Sequence, residues 1–224
     1  MCTVALPDGS EIRGWHLLPA GELATRSAQL SDIAEREMFF EASLLQADCV
    51  VLSLHGNAGN RGTRDRVAED RMLASQAHSG NCHVIAIDYR GFGDSSGWPT
   101  HWPSEESTAE DSMALWSWLE HRLISSVEGN PDKQPQDAVD TDKTCNHGRE
   151  SKLPNVFIYG HSLGCAISTQ LAGRLSSRTS TGSRHSLPLA GLILVSPFTS
   201  VADVARDYPY TAFLRLVPYA VDIM

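Results

Sequence analysis

The 224 residues are 42% hydrophobic and 20% charged, the balance of an ordinary globular chain long enough to bury one sizeable core. Lys and Arg number 18 against 27 Asp and Glu, and the formal charge of −9 argues against nucleic acid as a partner, because phosphate neutralisation needs basic surface. No apolar run reaches the 18 or more residues of a membrane span and no basic-then-apolar signal peptide opens the chain, so the expectation is a soluble or at most peripheral polypeptide.

In chain order, Thr3–Leu6 and Glu11–Leu18 read as two strands joined at Pro7-Asp8-Gly9, a hairpin turn signal. Residues 20–47 are polar and rich in Ala and Glu with a weak helical period, and read as a surface insertion. Cys49–Leu54 (CVVLSL) is a continuous apolar run, as expected of a strand buried on both faces. A helix is expected from about Thr63 to His78, capped by Gly80. His83–Ile87 (HVIAI) is the next buried strand, followed by a turn-rich loop over Asp88–Ser104. A helix is predicted from about Ser107, where Ser107 and Glu110 have capping-box spacing. Met113, Trp116, Leu119 and Leu123 then recur every three or four residues as one core-facing stripe.

Residues 126–152 hold almost no large apolar side chain and are read as a mobile loop, since such a stretch buries too little surface to offset its ordering entropy. Order resumes with the strand Asn155–Tyr159 (NVFIY), a helix from Ser162 to about Ser177, and the strand Gly191–Val195 (GLILV). Strands alternating with helices predict an α/β fold: a mainly parallel sheet with helices on both faces and an antiparallel hairpin at its N-terminal end. The five cysteines (Cys2, Cys49, Cys82, Cys145 and Cys165) are odd in number and irregular in spacing, and are read as free thiols, some of them buried in strands. No Cys-x-x-Cys pair offers a metal site.

The sharpest chemical signal is Gly160-His161-Ser162-Leu163-Gly164. Lying directly after a predicted strand and before a predicted helix, it has the context of a nucleophile elbow. Gly160 and Gly164 suit a turn too tight for a Cβ, Ser162 is the candidate catalytic nucleophile, and the helix start places N–H groups beside its hydroxyl. Upstream, His55-Gly56-Asn57-Ala58-Gly59 follows the strand CVVLSL. A backbone N–H from such a loop, with the N–H of the residue after the nucleophile, forms an oxyanion hole, so Asn57 and Leu163 are the candidate donors. His55 is read as structural. The loop lacks the Gly-Lys-Ser/Thr ending of a phosphate-binding loop, which sets that alternative aside.

These two motifs, with Asp88-Tyr89-Arg90-Gly91-Phe92-Gly93-Asp94-Ser95 between them and Ser196-Pro197-Phe198-Thr199 after them, give a chain that resembles the α/β-hydrolase domain-containing lipases. Within that group it looks most like the monoacylglycerol and lysophosphatidylserine lipase branch. The resemblance spans nearly everything from Leu6 to Tyr219, with residues 20–47 and 126–152 least alike. It implies a partial α/β-hydrolase domain over residues 1–224, a Ser-His-Asp mechanism acting on lipid esters, no cofactor and no metal. It also implies a structural role for Asp88, with Asp94 and Asp111 read alike, and a cap-like segment beginning in residues 198–224. Full-length relatives are expected at the endoplasmic reticulum or another internal membrane, so a longer form would associate with membrane.

The fold's chain order is nucleophile, acid, histidine. After Val195 the sequence holds Asp203, Asp207 and Asp222 but no histidine, and His185 precedes that strand. The expectation is therefore a chain incomplete at its C-terminus by roughly 60–100 residues, at about 30 or more per strand–helix crossover, and inactive as written. Three rivals stand beside the lipid esterase. One is a serine aminopeptidase or small-ester hydrolase on the same fold, and another is an inert truncated product that only binds. The last is a nucleotide-binding doubly wound domain, which lacks Gly-x-Gly-x-x-Gly after its first strand.

Overall fold

The computed structural model describes residues 1–21, 32–57, 59–75, 81–97, 102–128, 153–179 and 187–200. Six strands form one sheet: β1 (Cys2–Ala5), β2 (Glu11–Leu17), β3 (Cys49–Leu54), β4 (Cys82–Asp88), β5 (Asn155–His161) and β6 (Leu189–Val195). Their order across the sheet is β1-β2-β4-β3-β5-β6. The four strands from β4 to β6 run parallel, and the β1–β2 hairpin adds antiparallel at one edge. Its turn carries Gly9 at φ +84°, a left-handed conformation that glycine adopts without steric cost.

Four described helices cover the sheet: α1 (Ile33–Leu44), α2 (Arg64–Ser75), α3 (Glu105–Glu128) and α4 (Leu163–Thr179). Side chains alternate across a strand, so β3 sends Val50, Leu52 and Leu54 to one face and Val51 to the other. The first face is the larger core, where Ile85, Ile87 and Ile158 meet Leu44, Leu115, Trp116, Leu119, Leu123 and Leu171. The second is a smaller cluster of Val51, Ala74, Val84 and Tyr159. Each fully buried aliphatic side chain there contributes about 1.5–3 kcal/mol.

Most expected elements occur within a residue or two of their predicted bounds, with three corrections. The helix expected from Ser107 starts at Glu105, and its capping pair is Ser104 with Ser107: each backbone N–H donates to the other's hydroxyl, at 3.0 and 2.8 Å. Glu110 is instead drawn to Arg90, whose Nη2 donates to it at 2.7 Å. Residues 126–128 extend α3 and are not loop; the remainder of that proposed loop, 129–152, lies outside the described residues. Cys49 and Cys82 are not free thiols but form a disulfide between neighbouring positions of β3 and β4, with Cα atoms 4.6 Å apart. Cys2 and Cys165 are free and buried. Residues 20–47 contain α1, which is mostly exposed but seats Leu44 in the core.

Also outside the described residues are 22–31, the expected helix end at His78 and Gly80, Cys145, His185, and residues 201–224 with Asp203, Asp207 and Asp222. The cap-like segment beginning at Phe198 falls there except for its first three residues. Among the described residues no helix is long and apolar enough to cross a membrane.

Candidate active site

The parallel strands put their C-terminal ends together, with Leu54 beside Ile87 and Gly160, and His161 beside Val195. At that end β5 runs into α4 through Ser162, whose φ of 54° lies in the left-handed region. For a residue with a side chain this costs on the order of 1–3 kcal/mol and persists only where the surroundings impose it. Here they do. The Ser162 N–H donates to Val195 O at 2.9 Å, and the Cys165 N–H donates to Ser162 O at 2.8 Å.

The flanking glycines are required by contact. A Cβ on Gly160 would stand 2.5 Å from both Gly164 O and Ser168 Oγ, and a Cβ on Gly164 would fall on the Leu54 carbonyl. Helix α4 thus begins hard against β3. Burial holds the Cys165 thiol above its ordinary value, so the sulfur beside the turn stays protonated. No hydrogen bond to Ser162 Oγ occurs among the described residues.

Facing this turn is the loop after β3. A Cβ built on Gly56 would lie 3.0 Å from His161 O, 3.1 Å from Ser162 Cβ and 3.7 Å from Ser162 Oγ, so a side chain here would press the serine turn back by a few tenths of an ångström. Asn57 is exposed and Leu163 half-buried at the first position of α4; Ala58 lies outside the described residues. The structure therefore gathers Gly160, Ser162, Leu163, Gly164 and the Gly56–Asn57 backbone at one place.

His55 packs under the loop at 5% exposure, between Tyr89 and Phe92. Its Nδ1 donates to Gly56 O at 2.7 Å, and its Nε2 lies 3.1 Å from Asp88 Oδ1. Asp88 is 1% exposed, accepts the Arg61 N–H at 2.6 Å and pairs with the Arg61 guanidinium, which also reaches Asp94 at 2.6 Å. Asp111 is fully buried and takes the Arg90 N–H at 2.8 Å and Nε at 2.6 Å. All three aspartates are thus bound to arginines that tie loops together.

Three features here carried no sequence signal. Arg66, in α2, reaches back to the loop carbonyls of Gly56 and Asn57 at 2.9 and 3.0 Å. Ser53 and Asp70, 17 residues apart, hydrogen-bond at 2.6 Å below the loop, and Glu69 lies 3.5 Å from His161. The disulfide did leave a trace: each of its cysteines opens an apolar strand run, CVVLSL and CHVIAI. Among the described residues no three His, Cys, Asp or Glu side chains cluster to hold a metal ion.

A parallel sheet with a positive-φ serine between strand and helix, and a glycine backbone laid against it, defines a hydrolase of the α/β class. The chain belongs to the alpha/beta hydrolase family, whose model matches residues 42–222. Among curated proteins it is 33% identical to lysophosphatidylserine lipase ABHD12 of Danio rerio over 94% of this chain and 42% of that one. It is 31% identical to the Mus musculus protein of the same name, over 94% and 41%. The chain thus spans about two fifths of the length of these relatives. Among solved structures, Est1E from Butyrivibrio proteoclasticus with ferulic acid bound aligns at a TM-score of 0.51 and 14% identity, over 92% of this chain and 56% of that one. A putative hydrolase from Agrobacterium vitis aligns at 0.52 and 16%, over 93% and 54%. At such identities these neighbours attest the fold alone.

Proposed function

We propose that this chain carries the nucleophile and oxyanion-binding part of a serine hydrolase that cleaves carboxylic esters of lipids, of monoacylglycerol or lysophospholipid type. The observation that carries the reading is the positive-φ Ser162 with the Gly56 backbone against it. The lipase name of the relatives supports the substrate class.

Ser162 Oγ attacks the acyl carbonyl carbon, and its proton passes to a general base. The carbonyl oxygen becomes an oxyanion held by the N–H groups of Asn57 and Leu163, the latter at the positive end of α4. Collapse expels the alcohol and leaves an acyl-serine, which water then hydrolyses. Within these 224 residues the reading assigns no base and no acid to complete a triad. The chain taken by itself then turns over slowly, because loss of triad members costs on the order of 10⁴–10⁶ in kcat.

The test is covalent labelling by a fluorophosphonate probe, with Ser162→Ala beside it, followed by a panel of lipid esters and aminoacyl amides. Labelling abolished in the variant supports Ser162 as nucleophile, and labelling that survives refutes it. Cleavage of the amides alone would replace the lipid-ester reading with an aminopeptidase.

A further inference from the structure

Three consecutive carbonyls lead out of β3 into the loop, and side chains take all of them. The Tyr89 hydroxyl donates to His55 O at 3.0 Å. Gly56 O receives two donors, His55 Nδ1 at 2.7 Å and Arg66 Nη2 at 2.9 Å. The same Nη2 reaches Asn57 O at 3.0 Å, while Arg66 Nη1 reaches Asn60 O at 3.0 Å. Because a carbonyl only accepts, His55 Nδ1 is the donor in its bond to Gly56 O.

In a planar trans peptide the C=O and the N–H point in opposite directions. The Gly56 carbonyl shares its peptide with the Asn57 N–H. Holding that carbonyl toward Arg66 therefore turns the Asn57 N–H away from Arg66. The peptide belongs to Gly56, whose α-carbon faces Ser162. We propose that Arg66 is a positioning residue for the oxyanion hole: its guanidinium, together with His55 Nδ1–H, locks the Gly56–Asn57 peptide with its N–H presented to the reacting oxygen. The inference rests on the assignment of Asn57 as an oxyanion donor made above.

The chemistry suits arginine. A planar fork spans carbonyls three residues apart, which the single ammonium of a lysine does not, and its charge draws electron density from the carbonyl oxygen and sharpens the N–H on the other side. Neither Arg66 nor His55 touches the substrate in this arrangement; both act through the peptide.

The test follows the Asn57 amide by NMR in the ¹⁵N-labelled 224-residue chain, in wild type, Arg66→Ala and Arg66→Lys, alongside the rate of fluorophosphonate labelling. Wild type is expected to hold this amide as firmly as rigid backbone, with an order parameter of about 0.85, and Arg66→Ala to let it fall below about 0.6. Phosphonylation of Ser162 should shift the Asn57 amide in wild type, and labelling of Arg66→Ala should slow on the order of 100-fold. Arg66→Lys should fall between the two.

An Asn57 amide that stays ordered in Arg66→Ala overturns the inference, whatever the variant does to overall stability. A phosphonylated Ser162 that leaves the Asn57 amide unmoved overturns it together with the assigned hole. In a wild-type chain that takes no label, as the missing base allows, the order parameter needs no probe and still decides on the clamp. Should Arg66→Ala not fold, Arg66→Gln replaces it, with the same amide as readout.

Discussion

Ser53 donates its hydroxyl hydrogen to the Asp70 carboxylate at 2.6 Å, joining β3 to α2 directly below the candidate oxyanion loop, and burial pushes the Asp70 pKa up to about 6 in spite of that bond. A carboxyl raised above its ordinary 3.8 binds its proton more tightly folded than unfolded. The folded state is thus favoured at low pH and loses this advantage as pH rises from about 4 through 6. The loss amounts to roughly 2–3 kcal/mol. Asp70→Asn is expected to match wild type at pH 4 and to exceed its unfolding free energy by about that amount at pH 8, measured by urea titration.

His16 works in the opposite direction. Its Nε2 lies 2.7 Å from His83 Nδ1, with Phe40 edge-on beside it, and burial followed by the neighbouring His83 lowers its pKa to about 3. A histidine lowered in the folded state stabilises the fold fully above its ordinary 6.5, and that contribution drains away as pH falls toward 3. Wild type should lose roughly 2–3 kcal/mol from this group between pH 7.5 and 4.5. His16→Gln, with no proton to take up, should flatten that limb of the pH–stability curve. A curve as steep as wild type would mean that His16 is not the group responsible.

The two glycines of α4 separate sharply. Gly164→Ala forces a methyl onto the Leu54 carbonyl, which is backbone and unable to rotate away, so α4 must lift off β3. The expected cost is more than about 3 kcal/mol. Gly173, in the same helix, has nothing within 4 Å of a built Cβ. Gly173→Ala should therefore stabilise by about 0.5–1 kcal/mol through helix propensity and reduced unfolded-state entropy. Paired urea titrations of the two variants give opposite signs if the close approach of α4 is as described.

The Cys49–Cys82 disulfide closes a loop with a sequence separation of 33. In the chain-entropy picture a loop of that length is worth about 4 kcal/mol. Dithiothreitol should lower the Tm of wild type and leave Cys49→Ser unchanged. Thiol titration of the unreduced, denatured chain should find two fewer reactive groups than after reduction.

The strands were legible because nearly every one of them is apolar on at least one face: CVVLSL could be read as Cys49–Leu54 with no help from the rest of the chain. The turn at Ser162 was legible for a related reason, since a strand, two glycines around a serine, and a helix specify one local geometry. The misplaced capping pair illustrates what sequence does not carry. Ser107 and Glu110 have the right spacing, yet Glu110 is taken by Arg90, an arginine 20 residues upstream that also holds Asp8 and Asp111. The Arg66 clamp was hidden likewise, and the disulfide left only the placement of its two cysteines at the openings of strand runs as a trace. Each depends on sheet register or loop return bringing distant residues together, which no local period encodes.

The bond from the Ser162 N–H to Val195 O has one more consequence. Val195 closes β6, which lies beside β5 in the described sheet. The turn that seats the serine is therefore fastened to the end of the neighbouring strand as well as to its own helix. Loosening of β6 releases the serine's own amide, so its deuterium uptake acts as a clock for that strand: whatever steadies β6 slows the exchange, and whatever strips β6 away lets the turn relax with it.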